Sequence, residues 1–428
     1  MKEDFLHYLW KFKKYDFLQL KTTDHQQIEV LNPGQHNLLA GPDFFNAQLR
    51  IGQQRWAGNV EIHLKSSDWY AHGHENDAAY DNVILHVVWE HDVEVYDKAN
   101  CAIPTVKLSD FVSGEVLQRY FKLFNTSKKQ FVNCEKDFAE VPETVIIPWI
   151  ERLFFVRLER KVREIETLLE ASANDWEAVL FKMLARNFGT KINAASFINM
   201  AEILPFAVVR KCSTDKGKLE NLLLGTCDLL PETTEDAAVL RMKMEYEYLV
   251  SKFGLSQKIT QPVQFFKLRP QNFPTVRLSQ LAQLYESREG LFSQLISAKA
   301  KEKIYEILQV ETSDYWQTHY TFAKSHPLKR KKLSTAFIDL LIINTIVPLK
   351  FAFWRKQNEY NEEALIDLLS SLPIEKNSIV NGFMKLRTLD KNALSSQAIL
   401  QLKKEYCDKN RCLQCRVGNY LISDNPKL

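Results

Sequence analysis

The sequence predicts an α+β protein, with a small mixed α/β head followed by a larger all-helical body. Three observations predict it. Up to about residue 112, short apolar runs alternate with turn signals. Beyond about residue 140, apolar residues recur at helical spacing with Arg and Glu on the other faces. A chain of 428 residues is also long enough for two or three separate cores. The expected boundaries are a head over 1–125 and a body over 140–428, the latter subdivided near 255–275.

The elements follow in order. Phe5, Leu6, Leu9, Trp10 and Phe12 fall mainly along one stripe, which predicts an opening helix over 3–14. Ile28 to Leu31 reads as a strand that stops at the turn signal Asn32-Pro-Gly. Gln48 to Ile51, the turn Gly52-Gln-Gln and Arg55 to Leu64 read as a hairpin. Val83 to Trp89 is nearly continuous in apolar character, as in a strand covered on both faces. A last strand is expected near Thr105 to Leu108, then a helix capped by Ser109-Asp110. In the body, helical patterns begin at Pro148, Asn174, Glu235, Arg277, Ser297, Ser334, Glu362 and Ser395. No fixed period links them, so a solenoid is not expected.

Composition narrows the class. Hydrophobic content of 45% and charged content of 25% are those of a soluble globular protein. A formal net charge of +3 leaves any affinity for DNA or RNA to local patches. The apolar stretch Phe337 to Trp354 is interrupted by Asp339, Asn344, Pro348 and Lys350, which predicts a buried helix pair and no membrane span. The start, Met1-Lys-Glu-Asp-Phe, lacks a signal-peptide pattern, and seven cysteines are an odd number. A cytoplasmic location is therefore expected.

Histidine is unevenly distributed. Eight of ten lie before residue 92, and His63, His72, His74, His86 and His91 fall within 29 residues. Strand alternation puts Glu61, His63 and Lys65 on one face of the second hairpin arm. Asp43, in Gly41-Pro-Asp-Phe, precedes that hairpin. An Asp before a hairpin, then Glu-x-Lys on the next strand, is the order of the PD-(D/E)xK nucleases, and this chain resembles it. The resemblance implies that Asp43 and Glu61 hold Mg²⁺ or Mn²⁺ while His63 or Lys65 activates water or stabilises charge on phosphate. The chain departs from the pattern in carrying His63 where the lysine is expected. A second ligand set is His72 and His74 with Asp77, joined by His63 or His86, which suits Zn²⁺. Set against these, His72 and His74 read as turn residues and His86 as a core histidine.

In the body, Arg269 and Arg277 flank a Phe- and Pro-rich loop before a helix and are candidates for phosphate binding. Lys329-Arg-Lys-Lys332 is the one dense basic run. Cys407, Cys412 and Cys415 suggest a structural zinc or iron–sulfur site, its fourth ligand being Cys134, Cys212, Cys227 or a histidine. Free or buried thiols are the alternative.

The whole pattern resembles a bacterial family filed as domain of unknown function 2851. The residues that carry the resemblance are Gly41-Pro-Asp-Phe, Gly58-Asn-Val-Glu-Ile-His, Ser67-Asp-Trp, His72-Gly-His, Asp77, Tyr80 and Val83 to Val88. In the body they are Leu184 to Gly189, Arg269-Pro-Gln-Asn-Phe-Pro, Asn344 to Pro348 and Cys412-Leu-Gln-Cys. The resemblance implies relatedness and brings no activity. Three functional classes are therefore expected: a metal-dependent phosphodiester hydrolase acting on nucleic acid, a non-enzymatic nucleic-acid- or protein-binding scaffold with a structural metal, or a Zn-dependent hydrolase of a small molecule.

Overall fold

The computed structural model describes residues 1–125, 130–359 and 361–423. The protein is α+β, with a mixed sheet between residues 28 and 107 and helices through most of the remainder. It divides into two compact units. The first comprises residues 1–150, 381–388 and 400–428, and the second residues 151–380 and 389–399. The last stretch of chain therefore belongs with the head, where a contiguous body over 140–428 had been expected.

Helix α1 (Glu3–Lys11) opens the first unit. It buries Phe5, Leu6, Tyr8, Leu9 and Trp10, as its apolar stripe dictates. Strands β1 (Ile28–Asn32), β2 (Gln35–His36), β3 (Phe44–Ile51) and β4 (Gln54–Lys65) follow. Strands β3 and β4 are the expected hairpin, paired antiparallel from Ile51↔Gln54 to Phe44↔Val60. A short helix, α2 (Asp68–Ala71), and two 3₁₀ turns then lead to β5 (Val83–Glu90), which runs parallel to β4. The last strand, β6 (Thr105–Lys107), is parallel to β5. The sheet order is β1-β3-β4-β5-β6, with β2 paired to β3.

The core explains this order. Val60, Ile62, Leu85 and Val87 from the central strands pack with Phe5, Leu6, Leu9 and Trp10 of α1. Residues 58–63 of β4 are all buried, so both faces of the strand are covered. Gly58 is required for this. An added Cβ would lie 2.5 Å from Ile84 Cγ2 and 2.7 Å from Asn82 O, closer than packing tolerates.

The helix expected at Ser109-Asp110 starts later. Leu108–Asp110 is a single 3₁₀ turn. Helix α3 (Gly114–Phe124) follows, and Ser113 caps it by accepting from Val116 N–H at 3.3 Å. Helix α4 (Glu143–Glu170) is 28 residues long and leads from the first unit into the second.

The second unit is helical apart from a two-stranded hairpin, His319–Thr321 with Lys324–Ser325. The stretch 335–356 is one long helix interrupted by a π-helical segment at Ile342–Ile346. It is long and apolar enough to cross a membrane, but 72% of its apolar window is buried as core. The buried Glu220 carboxylate in this unit is paired. Glu220 accepts from Ser279 Oγ at 2.6 Å and from Ser313 Oγ and Trp316 Nε1 at 2.9 Å.

Candidate functional site

Asp43 reaches its place through a shaped loop. Gly41 has φ +97°, a backbone conformation glycine adopts freely. The Asn37 side-chain amide donates to the carbonyls of Leu39, Ala40 and Pro42 at 3.1 Å, which fixes the loop. Asp43 then stands just before the first β3–β4 pair. Its Oδ2 accepts from Ile62 N–H at 2.9 Å, and its own N–H donates to Glu61 Oε2 at 3.1 Å. Each of the two carboxylates thus accepts from a backbone N–H at or beside the other residue.

Glu61 also faces the histidines. Its Oε1 is 3.5 Å from His63 Nε2 and 3.4 Å from His74 Nε2. His63 Nε2 is 3.2 Å from His72 Nδ1, and His63 Nδ1 is 2.8 Å from His86 Nε2. Strand parity puts Glu61 and His63 on one face of β4, and the crossover after β4 folds back to bring His72 and His74 onto them. His74 is held by stacking on Tyr80, with ring centroids 3.8 Å apart, and by the edge of Trp69. Trp69 is the centre of a second small core with Val95 and Ile103. Glu61 and His63 are buried, whereas His72 is exposed and marks the solvent side.

Two residues of α1 complete the cluster, and the sequence reading missed both. His7 Nε2 lies 3.3 Å from Asp43 Oδ2 and 3.8 Å from Glu3 Oε1. The available signal was their i,i+4 spacing at the end of an amphipathic helix. Among the described residues, two groups of three side chains bring their ligand atoms within 4.8 Å of one another. They are His63, His72 and His74, and Glu3, His7 and Asp43. Glu61 adjoins both.

The electrostatics are those of a buried, uncompensated cluster. Burial, then the Asp43 charge, pushes Glu61 up to about 9. Burial, then His74 and His72, pulls His63 down to about 3, so its imidazole is neutral. Burial also lowers His74 and, strongly, His86. Burial opposes charge on His7 too, but the hydrogen bond and charge of Asp43, with Glu3 and Asp4, outweigh it and raise the group.

The donor set fits a divalent cation. Ligands bonded at about 2.0–2.1 Å around a tetrahedral ion lie about 3.4 Å apart. His63 Nε2 and His72 Nδ1, at 3.2 Å, have that spacing, and His63, His72 and His74 form one group within 4.8 Å, with Glu61 Oε1 beside two of them at 3.4 and 3.5 Å. Neutral imidazoles are the form a metal binds. His86, bonded to the other nitrogen of His63, orients that ring as outer partners of metal-bound histidines do.

Other expected site residues lie elsewhere. Lys65 is exposed and pairs with Glu90 at 3.7 Å, because the strand emerges from the core after His63. Asp77 accepts from Ala79 N–H at 2.9 Å and caps a 3₁₀ turn. His86 is in the core, as expected, but in contact with the cluster. Arg277 does not present itself to phosphate. It is buried, donates to Asn272 Oδ1 at 2.6 Å and Gln280 Oε1 at 2.9 Å, and lies over the Phe337 ring. Arg269 is exposed before a 3₁₀ turn. In the basic run, Lys331 points inward, bonded to the carbonyls of Trp316 and His319. Cys134, Cys407, Cys412 and Cys415 line one cavity of the first unit.

Residues 3–378 match the family model described as Protein of unknown function (DUF2851), so the chain belongs to that family. The match takes in every residue of the histidine–carboxylate cluster and stops before the C-terminal cysteines. No curated protein and no solved structure matches the chain.

Proposed function

We propose, from the site itself, that this chain is a metal-dependent phosphodiester hydrolase acting on nucleic acid. One observation carries the reading. Asp43 N–H donates to Glu61 Oε2 across the hairpin, so Glu61, beside the His63, His72 and His74 group, adjoins the Glu3, His7 and Asp43 group. His63, His72 and His74 would hold one cation, with Glu61 beside it, and Glu3, His7 and Asp43 a second. Two adjoining divalent cations supply stabilisation to both the attacking and the leaving oxygen of an in-line displacement at phosphorus. The imidazoles favour Mn²⁺ or Zn²⁺ at the first position, and the carboxylates suit Mg²⁺ or Mn²⁺ at the second.

The chain's own residues do the positioning. The Asp43 and Ile62 N–H groups fix the two carboxylates, and His86 fixes the His63 ring. Tyr80 and Trp69 hold His74 from behind.

Purified chain incubated with single- and double-stranded DNA and RNA in Mg²⁺, Mn²⁺ or Zn²⁺ tests the reading. Cleavage is expected, with D43N and E61Q each lowering it by about 100-fold or more. Absence of cleavage with all three metals, or unchanged cleavage in both variants, overturns it. The three convergent histidines favour a second reading, a Zn-dependent hydrolase of a small molecule. That reading expects turnover of simple chromogenic esters with Zn²⁺ while nucleic acid stays intact.

A further inference from the structure

The first unit carries a second cluster of potential ligands, built from residues far apart in sequence. Cys134 comes from the loop before a 3₁₀ turn at Phe138–Glu140, and Cys407 ends a π-helical segment at Leu402–Cys407. Cys412 opens a 3₁₀ turn, and Cys415 precedes the last helix, Arg416–Ile422. All four line a single cavity whose remaining wall is largely apolar, including Leu123 and Phe383. None is in a disulfide.

The loop is built to present these sulfurs. Asn410, at φ +52°, turns the chain between Cys407 and Cys412. Arg411 N–H donates to Tyr406 O at 2.8 Å, and Cys415 N–H to Cys412 O at 3.1 Å. Gly418 lets the last helix pack directly on this turn, since an added Cβ would lie 2.1 Å from Cys412 O. Donors converge on the sulfurs: Asn133 Nδ2 is 3.6 Å from Cys412 Sγ, and the Val417 and Gly418 N–H groups point at Cys415. The buried Trp149 indole N–H, with no oxygen or nitrogen partner, faces the same sulfur. Hydrogen bonds to sulfur are a recurrent means of tuning iron–sulfur centres.

Spacing decides between metals. A single zinc ion bonded at about 2.3 Å would draw four sulfurs to about 3.8 Å from one another. No three of these sulfurs form a group within 4.8 Å, whereas the histidine and carboxylate groups do. Four sulfurs spread around a cavity suit a ligand larger than one ion.

We propose that Cys134, Cys407, Cys412 and Cys415 bind an iron–sulfur cluster that fastens the C-terminal segment into the first unit. Each thiol gives up its proton to become an iron ligand. The cluster's role is structural: the segment it anchors places Leu413 and Ile422 in the core shared with α1, the helix that carries Glu3 and His7.

The full chain, purified without oxygen, tests this by elemental analysis and acid-labile sulfide. Iron and sulfide in equal amounts, at about two or about four of each per chain, are expected. C134S and C412S should each lose them, while C101S, at an exposed cysteine outside the cavity, should keep them. If C134S and C412S fold poorly, anaerobic reconstitution of wild type and C101S with ferrous iron and sulfide gives the same readout. Stoichiometric zinc with no sulfide overturns the assignment. So does reconstituted wild-type chain that takes up neither iron nor sulfide, or soluble C134S that retains the full complement.

Discussion

Glu61 is the residue on which the site turns. Its two oxygens face different partners, the Asp43 N–H on one side and His63 and His74 on the other. Its raised pKa gives a signed prediction. A carboxyl pushed up to about 9 is stabilised as the neutral acid. Its contribution to folding is full below the ordinary carboxylate range and is lost as pH rises through about 9. In the absence of metal, wild type should therefore lose stability relative to E61Q between pH 5 and 9, followed by thermal unfolding. A parallel decline in both proteins would rule out this role for Glu61. Metal uptake should in turn release protons, so affinity rises with pH over the same window. Calorimetry in buffers of different ionisation enthalpy reads this directly. At His74, substitution by alanine removes a candidate ligand and a ring stacked on Tyr80. Zn²⁺ or Mn²⁺ affinity should fall by at least about 10-fold, and an unchanged binding isotherm would remove His74 from the ligand set.

At the scale of elements, the hairpin and the crossover after it build the site. Gly58 allows β4 and β5 to approach, and nothing that crowds it can move away easily, since one neighbour is the Asn82 backbone. Gly58→Ala should cost about 1–3 kcal/mol in denaturant unfolding and weaken metal binding with it. A G58A chain of wild-type stability would show that the strands have slack. Much of this level was legible in the sequence. Period-2 alternation placed Glu61 and His63 on one face, and the order Asp43, hairpin, Glu61 anticipated that the two residues lie side by side. The rest was not legible, for physical reasons. Alternation assigns faces but not where burial ends, so Lys65 shared the parity of the site and fell outside it. Charge on Arg277 suggested phosphate, yet its two terminal nitrogens donate to Gln280 and Asn272 beside an aromatic ring. Glu3 and His7 sit on a helix whose pattern announces its apolar face, and what its polar end touches depends on tertiary packing.

For the molecule as a whole, the chain's return is the main departure from its linear reading. Residues 400–428 belong with residues 1–150, and Leu413 and Ile422 join the core of α1 and the sheet. Composition shifts mark where helices replace strands, but they carry no information about which late segment rejoins an early one. Ile422 is fully buried, so Ile422→Ala should destabilise the first unit by about 2–5 kcal/mol. Hydrogen exchange should show the loss spreading to α1. Protection of α1 identical to wild type would mean that the last helix is a passive attachment.

The bond from Ile62 N–H to the Asp43 carboxylate has one more consequence. The side chain of a candidate ligand stands in for a rung of the sheet, so the site inspects the hairpin that carries it. A β3–β4 pairing formed one residue out of step would turn Glu61 and His63 toward the opposite face. It would also strand Asp43 without its rung. Such a chain could be compact and still hold no metal. Metal retention would then act as proofreading, separating correctly registered molecules from near-misses that bulk measures of folding count alike.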